Sequence, residues 1–115
     1  GHLDVVKYLC EVGADKDRAK SDGETPLYTS AARGRLDVVK YLCEMGADKD
    51  RARSDGETPL LVSSAQGRLD VVKCLCEMGA DKDRARSDGA TPLMTAAGEG
   101  HLDVVRYLCE MGADK

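Results

Sequence analysis

Asp22-Gly23-Glu24-Thr25-Pro26-Leu27 returns as Asp55-Gly56-Glu57-Thr58-Pro59-Leu60 and again as Asp88-Gly89-Ala90-Thr91-Pro92-Leu93, on a beat of 33 residues. Asp-Gly favours a tight turn, because glycine takes positive φ without a Cβ clash. Thr-Pro then reads as an N-cap followed by proline in the first helical turn. Each copy spells a turn and then a helix.

Working outward, residues 34–66 keep 26 of the 33 residues of 1–33, residues 67–99 differ from 34–66 at eight positions, and residues 100–115 open a fourth copy. A fixed period of this length predicts stacked units, each burying its apolar face against its neighbours. Within a unit, Leu36, Val38, Val39, Leu42 and Cys43 recur at three- and four-residue intervals, while Asp37, Lys40 and Glu44 take the opposite face. This is an amphipathic helix, predicted over 36–45 and ended by Gly46. The same helix is expected at 3–12, 69–78 and 102–111. Residues 47–57 keep no apolar period and read as an extended loop with a turn at its tip. A short helix over about 59–66 follows, rich in the small residues Ser63, Ser64 and Ala65, which let a neighbouring backbone come close.

Composition sets limits on partners and compartment. The 115 residues are 42% hydrophobic and 33% charged, enough for one domain with a core. That core has no Phe, Trp or Ile; its aromatics are Tyr8, Tyr28, Tyr41 and Tyr107. Leu, Val, Ala, Met and Cys suit thin helix-on-helix layers. The net charge of −4 comes from 21 acidic and 17 basic residues spread evenly, without the basic stripe that tracks phosphates, so nucleic acid is not the expected partner. No apolar run approaches a membrane span, so no membrane insertion is expected. The chain opens at Gly1 rather than Met and reads as an excised piece of a longer protein.

Gly-Glu-Thr-Pro-Leu, a pair of small residues, then Gly-Arg-Leu-Asp-Val-Val-Lys and Gly-Ala-Asp resembles the ankyrin repeat family over essentially the whole chain. The resemblance implies an all-α repeat solenoid of stacked helix-turn-helix units joined by β-hairpin-like loops. It implies one domain, made of an N-terminal half repeat at 1–19 and repeats at 20–52, 53–85 and 86–115. First helices and loop tips would line the concave side, and second helices the convex side. Two departures stand out. The His that usually follows Thr-Pro-Leu is Tyr28, Leu61 or Met94 here, so the inter-repeat hydrogen bonds credited to that His lack their usual carrier. The Val-Asn pair usual after Gly-Ala-Asp is Lys16-Asp17, Lys49-Asp50 and Lys82-Asp83, which predicts a more polar loop base. The second helix at 3–12 lacks its partner, and that end is expected to fray. Neither end carries the polar outer face of a terminal cap. A monomer is expected, with end-to-end self-association through the uncapped units as its alternative.

Residues of the types that carry chemistry have plainer readings. Cys10, Cys43, Cys76 and Cys109 occupy one position of every unit, which suggests a metal ladder, a disulfide set or a redox sensor. Equivalent positions in stacked helices lie about 8–10 Å apart, beyond the roughly 7 Å Cα limit for a disulfide. They read instead as buried apolar thiols of a reducing, intracellular compartment, the cytoplasm first. Cys74 replaces the tyrosine of the other units, points elsewhere, and is the thiol expected to be most exposed. His2 and His101 alternate with Arg35 and Arg68, which reads as solvated surface. With no His-x-x-x-His and no Cys-x-x-Cys, no metal site or cofactor is expected. The carboxylates recur beside Lys or Arg, as in Asp48-Lys49-Asp50-Arg51, a solvated face rather than an active site. The chain does not read as an enzyme.

Where the units differ is more informative. Six of the eight differences between 34–66 and 67–99 fall in 61–66 against 94–99, and four of the seven between 1–33 and 34–66 fall in 28–33. A first helix that varies while its surroundings stay constant points to the part that reads a partner. The alternative is slack in small-residue packing, with Thr29, Val62 and Thr95 in the core. Candidate contacts are Arg33, Gln66 and Glu99 at the first-helix ends. Tyr28, Leu61 and Met94 follow as apolar anchors, with a place between repeats as their alternative reading. The loop-tip candidates are Ser21, Asp22, Glu24, Ser54, Asp55, Glu57, Ser87 and Asp88, whose near-constancy turn chemistry explains equally well. The expectation is a protein–protein interaction module. Its rivals are a spacer segment of a longer array and an engineered, consensus-like scaffold, the latter at odds with five cysteines.

Overall fold

A computed structural model describes residues 23–113. Six helices follow in order: α1 Pro26–Ala32, α2 Leu36–Glu44, α3 Pro59–Ala65, α4 Leu69–Glu77, α5 Pro92–Gly98 and α6 Leu102–Glu110. No strand occurs among the described residues, and the architecture is an all-α repeat solenoid. The helix expected at 3–12, its fraying, and Ser21, Asp22, His2 and Cys10 lie outside the described residues.

The short helices begin as Thr-Pro dictates. Oγ1 of Thr25, Thr58 and Thr91 accepts the backbone N–H of Tyr28, Leu61 and Met94 at 3.1, 3.1 and 3.2 Å, which satisfies an otherwise orphaned donor of the first turn. The long helices lack a side-chain N-cap. Instead Asp37, Asp70 and Asp103 accept the N–H of Val38, Val71 and Val104 at 2.9, 2.8 and 2.8 Å, placing an acid at the positive helix end. Each long helix stops one residue earlier than expected. Gly46, Gly79 and Gly112 follow with φ of 88°, 96° and 81°, and the next alanine's N–H returns to the helix, as in Ala47 to Leu42 at 3.0 Å.

The helices form two rows. α1, α3 and α5 pack in one, α2, α4 and α6 in the other, and each short helix packs on the long helix of its own unit. The predicted apolar face of α2 is buried at Val38, Val39, Leu42 and Cys43. Leu60, Val71, Val72, Leu75, Val104 and Leu108 are fully buried and continue this core along the stack. Ser63 and Ser64 are also fully buried, each donating its hydroxyl to the Leu60 carbonyl at 3.0 and 2.7 Å. Small side chains with internally satisfied hydroxyls let the flanking short helices approach α3 without a desolvation cost.

Between the helix pairs lie loops with hairpin-like tips. Arg53 N–H donates to Glu57 O at 2.9 Å and Gly56 N–H to Arg53 O at 2.8 Å; Arg86 to Ala90 and Gly89 to Arg86 repeat the pattern at 2.8 Å each. Adjacent loops are tied together by Ser87 N–H to Asp55 O at 3.0 Å and by Asp81 N–H to the Asp50 carboxylate at 2.9 Å. The stack is elongated, 42 Å on its longest axis and 20 Å on its shortest.

Two expectations about single residues are corrected. Cys74, expected to be the most exposed thiol, is 8% exposed, while Cys76 and Cys109 are half-buried. Position 74 lies on the side of α4 that meets α2. The His/Arg position is not merely solvated surface either. His101 Nε2 lies 3.0 Å from the Ala65 carbonyl oxygen, and Arg68 Nε 3.4 Å from that of Ala32. A carbonyl only accepts, so Nε2 carries the proton. Each side chain reaches back to the end of the preceding short helix.

Candidate functional site

The short-helix row sets the candidate surface. Arg33, Gln66 and Glu99 are the C-cap residues of α1, α3 and α5, with nearly superposable backbone angles (φ −89°, −90° and −89°). All three are exposed. Because α1, α3 and α5 stack directly, these caps form a file that changes from cation to amide to anion along the array.

The apolar candidates divide. Tyr28 is 3% exposed and Leu61 0%, so both are corrected from partner anchors to packing between units; the next unit covers them. Met94 holds the same position in α5 and is 57% exposed, because no described helix packs on that side. Glu57 is likewise corrected, from a loop-tip contact to a buried carboxylate at 7% exposure. Its position is set by what converges on it. The Tyr28 hydroxyl donates to its Oε1, Arg86 Nη1 donates to its Oε2 at 3.2 Å, and Arg53 Nη2 lies 3.5 Å from Oε1. Arg53 also sits 5.4 Å above the Tyr28 ring and 3.7 Å from Glu24. Burial first, then the Glu57 hydrogen bond, raises the Tyr28 hydroxyl far above its ordinary value, so it stays a donor.

Of the remaining tip residues, Asp55 and Asp88 are engaged within their own loops. Arg53 donates to both Asp55 oxygens, at 3.3 and 2.6 Å. That hydrogen bond, aided by the Glu57 N–H, brings the Asp55 carboxyl down to about 2. Arg86 holds Asp88 in the same bidentate way at 3.1 and 2.9 Å and lowers its carboxyl too. Asp55, Arg86, Ser87 and Asp88 line one open depression between the two loop tips. Ser54, Ser87 and Asp88 are exposed, and Glu24 and Asp55 half-buried.

Sequence reasoning missed Arg53 and Arg86, which join consecutive units. The available signal was their recurrence immediately before Ser-Asp-Gly. Among the described residues, no group of three or more His, Cys, Asp or Glu is placed to hold a metal ion. No helix there is long and apolar enough to cross a membrane. A family model described as ankyrin repeats in three copies matches residues 1–53 and 48–115. A search of curated proteins finds no match.

Proposed function

The chain belongs to the ankyrin repeat family, and from that premise we propose a module that binds a partner protein through the file Arg33, Gln66 and Glu99. Ankyrin repeats are generally protein–protein interaction modules and typically non-enzymatic. The observation that carries the finer reading is the coincidence of exposure and difference. The three caps are exposed on one row of helices, and they differ between units whose surroundings are nearly constant. Met94 and the tip residues Ser54, Asp55, Ser87 and Asp88 extend this surface, which by family resemblance is the concave side.

The charge order states the partner's chemistry: an acidic group opposite Arg33 and a basic group opposite Glu99. Such rim pairs set orientation and association rate more than affinity. Met94 supplies the apolar contact in the role expected of an anchor.

The test is affinity capture from a reducing cell extract, comparing the chain with a folded variant carrying Arg33→Ala, Gln66→Ala and Glu99→Ala. A protein held by the first and lost by the second supports the reading. Equal retention by both moves the site off the file. Nothing retained by either favours the spacer reading, which the repetition of the inter-unit contacts Arg53 to Glu24 and Arg86 to Glu57 supports.

A further inference from the structure

Cys43 and Cys74 are 31 positions apart, two short of the repeat period, and that offset changes which way they face. Two residues advance an α-helix by about 200°, so Cys74 and Cys76 lie on opposite sides of α4. Cys76 is the counterpart of Cys43. In a stack of parallel, equivalent helices, if Cys76 faces onward to α6, then Cys43 faces onward to α4 and Cys74 faces back to α2. The contacts agree with this arrangement. α2 packs on α4 and α4 on α6. Cys43 and Cys74, 5% and 8% exposed, share one buried cluster. The seam between α4 and α6 repeats the geometry with a different pair, Cys76 against Tyr107.

The electrostatics are consistent with both pairings. Burial, and then the neighbouring Cys74, pushes the Cys43 thiol up to about 11. Burial first, with Cys76 as the next cause, raises the Tyr107 hydroxyl. Position 74 holds tyrosine in the three sister units, as Tyr8, Tyr41 and Tyr107. The exchange of tyrosine for cysteine is what sets thiol against thiol at this one seam.

The geometry points to Cys43 and Cys74 as a modification site, a thiol pair that closes into an intramolecular disulfide joining α2 to α4 when the chain meets a low-molecular-weight disulfide such as glutathione disulfide. One thiol loses its proton and attacks the glutathione disulfide, forming a mixed disulfide and releasing one glutathione thiolate. The second thiol then loses its proton, attacks the protein sulfur of that mixed disulfide and releases the second. Two protein thiols are oxidised and one disulfide is reduced to two thiols, so atoms and electrons balance. The equivalent rung cysteines, about 8–10 Å apart across stacked helices, are excluded from direct bridging by the disulfide's Cα reach. The product staples the second and third units together across their long helices.

The experiment incubates the reduced 115-residue chain with glutathione disulfide at mildly alkaline pH, blocks the remaining thiols, and maps peptides by mass spectrometry. Expected are the loss of two of the five thiols, a linked peptide joining Cys43 to Cys74 in a monomer, and a melting midpoint raised by several degrees that a reductant reverses. Cys74→Tyr, which restores the residue of the sister units, is expected to keep its remaining thiols and its midpoint. Retention of all five thiols, a link between any other cysteines, or a product stopped at the mixed disulfide overturns the proposal. The map of the unsubstituted chain decides this even if the variant folds poorly.

Discussion

The Tyr28 hydroxyl donates to the Glu57 carboxylate across the boundary between two units, with Arg86 on the carboxylate's other oxygen. One unit further on, Leu61 is buried and the position of Glu57 is taken by Ala90. A polar pair at one seam thus corresponds to an apolar pair at the next. Glu57→Ala alone strands the buried Tyr28 hydroxyl and removes one partner each from Arg53 and Arg86, which keep Asp55 and Asp88, and is expected to cost about 2 kcal/mol. Adding Tyr28→Leu, which copies the Leu61 and Ala90 pair, is expected to recover a large part of that loss. Urea unfolding of both single variants and the double closes the cycle; strict additivity refutes the coupling.

Gly67 lies beneath His101. A Cβ there would meet His101 Nδ1 at 2.6 Å, whereas Gly100, at the same unit position with a similar φ, has nothing within 4 Å. Both substitutions to alanine bear the left-handed backbone cost of about 1–2 kcal/mol. Gly67→Ala must in addition displace the imidazole from the Ala65 carbonyl. Its melting midpoint is expected below that of Gly100→Ala, and equal midpoints exclude a structural role for the His101 contact.

Thr58 is 1% exposed and caps α3 at the centre of the stack. Thr58→Ala is expected to cost about 1–2 kcal/mol, and Thr58→Ser far less, because serine keeps the accepting oxygen. Chemical denaturation of the two variants measures the difference. Equal losses assign the effect to packing of the methyl group.

Asp55 provides a pH dependence with a defined sign. Its folded carboxyl is depressed from 3.8 to about 2, chiefly by the Arg53 hydrogen bond. Its stabilisation is therefore complete above pH 4 and lost as pH falls from about 4 towards 2. Its side chain is 42% exposed, so screening limits the contribution to a few tenths up to about 1 kcal/mol. Asp55→Asn is expected to flatten this part of the stability profile between pH 5 and 2. An unchanged slope assigns the acid sensitivity to other carboxylates.

Much of this molecule is legible in one dimension because its rules are local. Thr25, Thr58 and Thr91 announce caps, Gly46 and its copies announce stops, and the spacing of Val38, Val39 and Leu42 announces a buried stripe. The period itself implies stacking. The caps Arg33, Gln66 and Glu99 were legible from their position just before the glycine that follows each short helix and from their difference between units, and all three are exposed.

What the sequence by itself determined is the unit, its period and its all-α class, since each follows from contacts within a few turns of chain. Only the tertiary structure decided which residues of a unit belong to its neighbour. Tyr28 and Glu57 are 29 positions apart, His101 and Ala65 are 36, and Cys43 and Cys74 are 31. None of these separations equals the period, because stacked units meet at non-equivalent positions. Whether a side chain is exposed or buried at a seam depends on the angle at which the next unit covers it. Tyr28, Leu61 and Met94 hold one position in the repeat, yet the first two are buried and the third is open.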